Sequence, residues 1–265
     1  MTSPLHLLAS HCLIALSLTT LQFSSAAPNA TSPEQAEHHI PRLFIASDST
    51  AAQTNKRPQY GWGEFLGEHF DPDRLEVVNL AKGGRSSRTF ISEGWWAELL
   101  EQSKPRDWVI IQFGHNDATA IGASMFRGSL PGLGNESETL LNTKTGERET
   151  VRSFGSYLRE MLRDAKAAKL HPILVSPTVR KSWQEGKIVR DAEGHGEWTR
   201  QIALQENVPY IDLNSRVTDI LDALGPEKVE TMYQGKTHFR APGAQLHAAT
   251  LALELANHLD IPIKQ

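Results

Sequence analysis

Five short apolar runs, separated by segments with a helical pattern, restrict this chain to one class of fold. The runs are RLFIAS (42–47), LEVVNLA (75–81), WVIIQFG (108–114), PILVSP (172–177) and VPYIDL (208–213). Their apolar residues are continuous rather than alternating, which is typical of parallel strands that are covered on both faces. The last helical pattern begins near Pro242 and repeats apolar residues every three or four positions. Strands and helices in alternation predict a doubly wound α/β sheet.

Length and charge limit the domain organisation and the partners. The 265 residues, 39% of them hydrophobic, are enough to bury a sizeable core, and we expect a single domain over residues 42–265. Lys and Arg total 27 against 31 acidic residues, for a net charge of -4, and there is no basic tract. A nucleic-acid partner is therefore not expected. We expect the domain to act as a monomer.

The first 26 residues have the pattern of a signal peptide. An apolar run extends from about Leu7 to Leu21, and Ser24 and Ala26 are spaced like a cleavage site. No Lys or Arg precedes the run, so an unprocessed tail is the alternative, and the run is too short and polar to span a bilayer. A polar, flexible lead-in is expected over residues 27–41. The leader predicts a secreted or periplasmic protein. Because the one cysteine, Cys12, lies in this leader, we expect no disulfides and no thiolate metal sites in the domain.

In a doubly wound sheet, ligands bind beyond the carboxyl ends of the strands, which selects a few loops. These loops are SDST after the first run, KGGRSSR after the second, GHND after the third, TVRKSW after the fourth, and the loop with His238 before the last helix. The segment 118–150 is polar, glycine-rich and without a clear period. Its length indicates a functional insertion.

Ser49 is the candidate nucleophile on these loops. It stands where an apolar strand ends and a small-residue helix can begin, although a helix N-cap serine fits the same position. Ser47 and Ala51 occupy the glycine positions of a GxSxG elbow, which weakens an α/β-hydrolase interpretation. A serine hydroxyl needs a neighbouring base, and only His115 and His238 among the eleven histidines fall on the selected loops.

Hydrogen-bond donors complete the candidate set. The side-chain amide of Asn116 and the bare backbone at Gly83 and Gly84 can donate to a developing oxyanion, and Asp117 can fix its loop. Taken singly, each of these residues fits an ordinary turn. The glycine pair lacks both the GK[ST] sequence and the spacing of a nucleotide-binding loop.

From about Arg42 to the C-terminus, the sequence resembles the GDSL, or SGNH, hydrolases, and more closely their rhamnogalacturonan acetylesterase-like group. Four blocks carry the resemblance in the family's order: SDST, GGRS, GHND and THF. Further similar stretches are YGWGEF, GGRSSRTF, QFGHND, GSLPGLGNESE and GPEKV. The resemblance implies the SGNH hydrolase fold, a flavodoxin-like three-layer α/β/α sandwich with a five-stranded parallel sheet. It implies no metal and no organic cofactor.

The same resemblance implies a role for each matched residue. Ser49 corresponds to the nucleophile and His238 to the base. The Ser49 N–H, the Gly84 N–H and the Asn116 side chain correspond to the oxyanion hole. We take Asp48 and Asp117 as supporting residues.

The chain departs from the family at the position three residues before the histidine. The family has an aspartate there, which accepts the Nδ1–H of the histidine, whereas this chain has Gly235 between Gln234 and Lys236. Three interpretations remain: a Ser49–His238 dyad whose ring is held by a main-chain carbonyl or water, a carboxylate from elsewhere with Glu230 the nearest in sequence, or an enzyme that has lost activity. We favour the dyad.

The expected substrate is an acetylated pectic polysaccharide, and Trp62, Arg85 and His115 are the candidate substrate-binding residues. Such a substrate is anionic, and six cations fall on loops near the predicted site: Arg85, Arg88, Arg127, Arg180, Lys236 and Arg240. This clustering suits an anionic ligand, although solvated surface charges explain it equally. The leading hypothesis is a secreted carbohydrate O-acetylesterase that works through an acyl-serine intermediate. The alternatives are a lipid esterase or thioesterase of the same fold, and a catalytically impaired glycan-binding protein.

Overall fold

A parallel five-stranded sheet forms the centre of the described structure. The computed structural model describes residues 40–122, 126–190, 194–259 and 264, so the expected signal peptide (1–26) and residues 27–39 of the lead-in lie outside the described residues. In chain order, the strands are β1 (Arg42–Ser47), β2 (Glu76–Asn79), β3 (Trp108–Gln112), β4 (Ser137–Leu141), β5 (Arg148–Arg152), β6 (His171–Val175), β7 (Trp183–Gln184), β8 (Lys187–Ile188), β9 (Tyr210–Ile211), β10 (Tyr233–Gln234) and β11 (His238–Phe239). The central sheet has the order β2-β1-β3-β6-β9, and every neighbouring pair is parallel. The five apolar runs are therefore the five strands of this sheet.

Helices follow most of these strands. In chain order, they are α1 (Ser87–Ser92), α2 (Trp95–Gln102), α3 (Phe154–Ala167), α4 (His195–Glu206), α5 (Leu213–Leu224), α6 (Pro226–Glu230) and α7 (Ala241–Leu259). The helical pattern at 60–70 forms only two short 3₁₀ helices, Trp62–Glu64 and Leu66–His69. Glycines interrupt this segment, and at Gly61 and Gly63 a Cβ would collide with the backbone of Ala51. The segment therefore packs close to the loop after β1 instead of forming a regular helix.

The helices cover both faces of the sheet, which gives three layers. On one face, Leu43 and Ile45 of β1 join a buried apolar cluster with residues of α5, α6 and α7. On the other face, Phe44 and Ala46 join a second cluster with residues of α1, α2, α3 and α4. Alternate residues of one strand thus enter different clusters, as the period of a β-strand requires. This α/β/α sandwich is the fold expected from the resemblance.

Three antiparallel hairpins extend from this framework: β4–β5, β7–β8 and β10–β11. The β4–β5 hairpin falls at the end of the segment 118–150, which the sequence indicated as an insertion. The β10–β11 hairpin pairs Gln234 with His238 and precedes α7. Across the described parts of the chain, no helix has the length and apolarity needed to cross a membrane.

Candidate active site

An open cleft of about 580 Å³ lies beyond the carboxyl ends of the central strands. Loops after β1, β2, β3 and β6 contribute to it, together with the β10–β11 hairpin. Its lining residues are Ser49, Ala52, Gln53, Thr54, Lys56, Gln59, Gly83, Gly84, His115, Asn116, Arg127, Arg180, Thr237 and His238. The cleft therefore collects the loops that the strand-end rule selected.

Ser49 and His238 are hydrogen-bonded within this cleft. The distance between Ser49 Oγ and His238 Nε2 is 3.0 Å, although the two residues are 189 positions apart in the chain. Both side chains are partly exposed to the cleft. A base within this distance of a serine hydroxyl is the arrangement that nucleophilic catalysis requires.

The turn after β1 holds Ser49 in place without a helix. The buried Asp48 accepts hydrogen bonds from both the N–H and the hydroxyl of Thr50, each at 2.8 Å, and its carbonyl accepts from the N–H groups of Ala51 and Ala52. The helix expected after Ser49 is not formed, because residues 49–52 make a turn on which Gly61 and Gly63 pack closely. A dipole from a following helix is therefore not part of this site. Burial raises the pKa of Asp48, and the bonds from Thr50 oppose this rise.

His238 is oriented by its hairpin and by the bond to Ser49. Burial lowers the pKa of His238 below its ordinary value, the charge of Asp48 opposes that shift, and the charge of Lys56 adds to it. Among the described residues, no side chain or carbonyl accepts a hydrogen bond from Nδ1. Glu230 does not fill this position: its carboxylate, which is largely exposed, pairs with Lys181 at 2.6 Å. The described residues thus offer His238 a nearby buried charge, Asp48, but no direct carboxylate partner.

Three candidate oxyanion donors belong to residues that line the same cleft as the Ser49 hydroxyl. The backbone N–H groups of Ser49 and Gly84 donate to no acceptor within the described ranges, and both residues line the cleft. Gly84 has a φ of 79°, a conformation that favours glycine. The Asn116 amide Nδ2 donates to the carbonyl of Arg85 at 2.8 Å and, at 3.5 Å, to Oδ2 of Asp48, so an oxyanion would have to replace the longer of these two bonds. This set can stabilise negative charge on a carbonyl oxygen.

Asp117 fixes the loop that carries Asn116. Its buried carboxylate accepts hydrogen bonds from the N–H and hydroxyl of Ser87 and from the hydroxyl of Ser129. Burial raises the pKa of Asp117, and the bonds from Ser87 are among the effects that oppose the rise. Asp117 thereby connects the GHND loop to the start of α1 and to residue 129.

Of the three expected substrate-binding residues, only His115 lines the cleft. Trp62 is wrong as a sugar-stacking residue, because its ring is 0% exposed and its Nε1 donates to Gln112 at 2.9 Å. Arg85 is outside the lining: its guanidinium bonds to Glu93 and to the carbonyl of Gly83. His115 does line the cleft. The buried Trp62 anchors the 3₁₀ segment in the core, so its ring has no face available to a ligand.

His115 also positions a cation in the cleft. Its Nδ1 accepts from Nε of Arg180 at 3.1 Å, and its Nε2 lies 2.9 Å from the Thr178 hydroxyl. Arginine can only donate, so Nδ1 is unprotonated and Nε2 carries the ring proton. The neutral His115 ring therefore holds the Arg180 guanidinium at the edge of the cleft.

The sequence did not single out Lys56, Thr54 or Gln59, which follow Ser49 and line the same cleft. The sequence predicts Arg127 and Arg180 only as members of a group of six loop cations. Their position depends on the way distant loops fold over the strand ends, and no local pattern marks it. Within the described residues, no group of three or more His, Cys, Asp or Glu side chains is arranged to hold a metal ion.

Comparisons with known proteins identify a family and several relatives of this chain. Residues 48–246 match the model of the GDSL-like Lipase/Acylhydrolase family. The "Probable rhamnogalacturonan acetylesterase YesY" of Bacillus subtilis is 31% identical over 231 residues, which are 84% of this chain and 95% of that protein. The rhamnogalacturonan acetylesterase of Emericella nidulans is 30% identical over 210 residues, 78% of this chain and 81% of that protein.

Solved structures show the same fold. The crystal structure of YxiM from Bacillus subtilis superposes with a TM-score of 0.67 at 23% identity and covers 84% of this chain, which spans 58% of that structure. Axe2, an acetylxylan esterase from Geobacillus stearothermophilus, superposes with a TM-score of 0.54 at 18% identity over 81% of this chain and 94% of that structure. With its family match across most of its length, the chain belongs to the GDSL-like Lipase/Acylhydrolase family.

Proposed function

We propose that this protein is a carbohydrate O-acetylesterase that removes acetyl groups from a pectic polysaccharide such as rhamnogalacturonan. The observation that carries the proposal is the 3.0 Å hydrogen bond between Ser49 Oγ and His238 Nε2, in a cleft with Gly84 and Asn116. The names of two relatives at about 30% identity support the substrate.

The geometry supports a mechanism in two stages. His238 Nε2 accepts the Ser49 proton while Ser49 Oγ attacks the acetyl carbonyl carbon. The Ser49 N–H, the Gly84 N–H and the Asn116 amide donate to the resulting oxyanion. His238 then gives the proton to the leaving sugar oxygen, which forms the acetyl-serine. Water, deprotonated by His238, releases acetate and restores the serine. One such oxyanion donor contributes about 10²–10³ in rate.

The character of the cleft favours a carbohydrate ester over a lipid ester. Its lining carries three cations and several amide and hydroxyl groups, and the large buried apolar side chains are in the two core clusters instead. Among the described lining residues, no large apolar side chain is placed to hold an acyl chain longer than acetyl. A lipid esterase would therefore require a different surface from the one that surrounds Ser49.

The first test compares the wild-type protein with Ser49→Ala on acetylated rhamnogalacturonan and on p-nitrophenyl acetate. We expect acetate release by the wild type and a loss of at least about 10³ in kcat for the variant, since the acyl-serine cannot form. Butyrate and longer p-nitrophenyl esters serve as controls and should react more slowly than acetate. Wild-type activity equal to that of Ser49→Ala would overturn the proposal and favour a glycan-binding protein that has lost hydrolysis.

We also propose that the protein is exported. The leader pattern at 1–26 and a polysaccharide substrate outside the cell support this localisation. Intact mass measurement of the protein recovered from the medium or periplasm should show a chain that begins after Ala26. Recovery of the full-length chain in the cytoplasm alone would contradict it.

A further inference from the structure

The cleft that holds Ser49 is electropositive although the chain as a whole is acidic. Lys56, Arg127 and Arg180 line it, and none of its described lining residues is Asp or Glu. The net charge of the whole chain is -4. Such local clustering raises the concentration of anionic groups at the site.

Arg127 differs from Lys56 and Arg180, the other charged residues of the cleft, in having a buried side-chain nitrogen without a hydrogen-bond partner within the described residues. Its guanidinium forms no hydrogen bond or ion pair there, and its Nε is buried without an acceptor. A buried polar group without a partner requires an explanation, because leaving it unpaired is costly. Arg127 Nη1 lies 3.5 Å from the position that a Cβ on Gly84 would occupy. This guanidinium is therefore next to Gly84, which lines the same cleft as Ser49.

A second arginine holds the backbone on both sides of Arg127. The buried Arg88 donates from Nε to the carbonyl of Gly128 at 2.9 Å and from Nη2 to the carbonyl of Phe126 at 2.5 Å. Its guanidinium also lies 4.8 Å from the centre of the Phe126 ring and forms an ion pair with Glu149. These contacts of the Arg88 guanidinium hold the three-residue segment 126–128 in place.

The backbone of this segment is strained and tightly packed. Phe126 has a φ of 40°, an unusual conformation for a large side chain, and a Cβ on Gly128 would collide with the carbonyl of Thr119. The next residue, Ser129, donates from its hydroxyl to Asp117 at 3.0 Å and from its N–H to the Asp117 carbonyl at 3.2 Å. Strain of this kind persists where the surrounding structure enforces it, and it concentrates at ligand sites. The segment is built to present Arg127 to the cleft.

We propose that Arg127 is the specificity-determining residue of this site and binds a carboxylate of the sugar chain beside the acetyl ester. The inference rests on the proposed function, because it concerns the same cleft. A guanidinium presents a planar fork that bonds a carboxylate through two parallel N–H groups. Lys56 is a single point charge, and the Nε of Arg180 already donates to His115. Arg127 is therefore the cation of this cleft best suited to a uronate.

The test uses two substrates that differ only at their carboxyl groups: acetylated oligogalacturonate with free carboxylates, and the same oligomer with its carboxylates neutralised as methyl esters. The proteins are wild type, Arg127→Gln, Arg127→Lys and Arg163→Gln. Arg163 lies on α3 with 68% of its side chain exposed, so Arg163→Gln makes the same charge change away from the cleft. Acetate release gives kcat and KM for each pair.

We expect Arg127→Gln to raise KM for the free acid about tenfold to a hundredfold, which is the range for a lost hydrogen bond to a charged group. For the methyl ester, Arg127→Gln should raise KM by less than about threefold. Arg127→Lys should recover only part of the affinity for the free acid, because lysine lacks the planar guanidinium fork. Arg163→Gln should match wild type on both substrates. An equal fall in kcat on both substrates for Arg127→Gln would overturn the proposal and indicate that Arg127 stabilises the oxyanion. Values of kcat and KM equal to those of the wild type on both substrates would also overturn it.

A binding measurement separates this inference from the proposed function. Titration calorimetry of unacetylated trigalacturonate with Ser49→Ala, and with Ser49→Ala carrying Arg127→Gln, involves no hydrolysis. We expect at least about tenfold weaker binding in the double variant. If the wild type hydrolysed no ester and this difference remained, the esterase proposal would fail while the role of Arg127 stood. Equal affinities of the two variants would overturn the role of Arg127 whatever the activity.

Discussion

At the scale of single residues, the unusual feature is the glycine three positions before His238. Gly235 has a φ of 70°, and a Cβ added there would meet no heavy atom within 4 Å. Asp and Asn enter this left-handed region more readily than other non-glycine residues, at a cost of about 1 kcal/mol. The position can therefore accept an aspartate. Its carboxylate would lie in the turn that precedes the His238 ring.

We expect Gly235→Asp to increase kcat on p-nitrophenyl acetate by about tenfold to a thousandfold, since loss of the corresponding aspartate in a serine protease costs about 10⁴. The carboxylate should also raise the pKa of His238, which burial now holds below its ordinary value. Because His238 acts as a base only when neutral, the acid limb of the kcat/KM profile should move to higher pH. Stopped-assay rates between pH 4 and 8 measure both effects.

Gly235→Asn is the matched control for this prediction. Asparagine tolerates the same backbone conformation and has the same shape as aspartate, but it carries no charge. Its acid limb should stay where the wild type has it. An equal gain from both substitutions would show that backbone conformation, and not the carboxylate, limits the rate.

At this scale, the sequence predicts those cleft-lining residues that stand next to strand ends. Ser49, Gly84 and Asn116 follow β1, β2 and β3, so the strand-end rule places them at one edge of the sheet. The exposure of Trp62 could not be predicted, because it depends on the close packing of Gly61 and Gly63 against the turn after β1. The presentation of Arg127 rests on Arg88, about 40 positions away, which no local pattern reveals.

At the scale of elements, the sequence predicted the buried strands well and the exposed ones poorly. β1 and β3 begin at the predicted residues, because a continuous apolar run of this length between turn residues is typical of a fully buried strand. The exposed β4–β5 hairpin was missed: only Val151 of its ten residues is buried, so it has no apolar period to read. Pairing across the hairpin decides its structure, and pairing is not a local property.

The contact between α7 and β11 connects a titratable group to the element that carries His238. The buried His247 ring of α7 stacks on Phe239 of β11, with the ring centres 4.2 Å apart, and its Nδ1 bonds to the Gly243 carbonyl at 2.8 Å. Its Nε2 has no partner among the described residues. Burial lowers the pKa of His247 to about 4. A proton on this ring would therefore be poorly tolerated in the folded protein.

This contact predicts a loss of stability in acid. In the unfolded chain, His247 binds a proton below about pH 6.5, whereas the folded ring stays neutral to about pH 4. The neutral His247 ring makes its full contribution to the free energy of unfolding above pH 6.5, and this contribution falls by about 3 kcal/mol as the pH drops to 4. Urea unfolding of wild type and His247→Leu at both pH values should show a smaller acid loss in the variant. A constant difference between the two proteins at both pH values would exclude this role.

At the scale of the whole molecule, the sheet separates two apolar clusters. The strands contribute residues to both clusters, whereas each helix contributes buried residues to only one of them. Met161 of α3 and Leu251 of α7 are both 0% exposed and belong to clusters on opposite faces. The site loops extend from the strands between these clusters, so both faces must be packed for the strand ends to converge. Stability of the site is therefore a property of the whole domain.

We expect Met161→Ala and Leu251→Ala each to lower the free energy of unfolding by about 2–5 kcal/mol, because each leaves a cavity in a packed core. The two costs should add within about 0.5 kcal/mol in the double variant, since the side chains contact different clusters. Urea unfolding followed by tryptophan fluorescence and by far-ultraviolet circular dichroism measures the three values. The two probes should coincide in one transition if the sheet couples both faces. Two separate transitions would show that the two faces do not unfold as one cooperative unit. A coupling energy above about 1 kcal/mol would show that the two substitutions do not act independently.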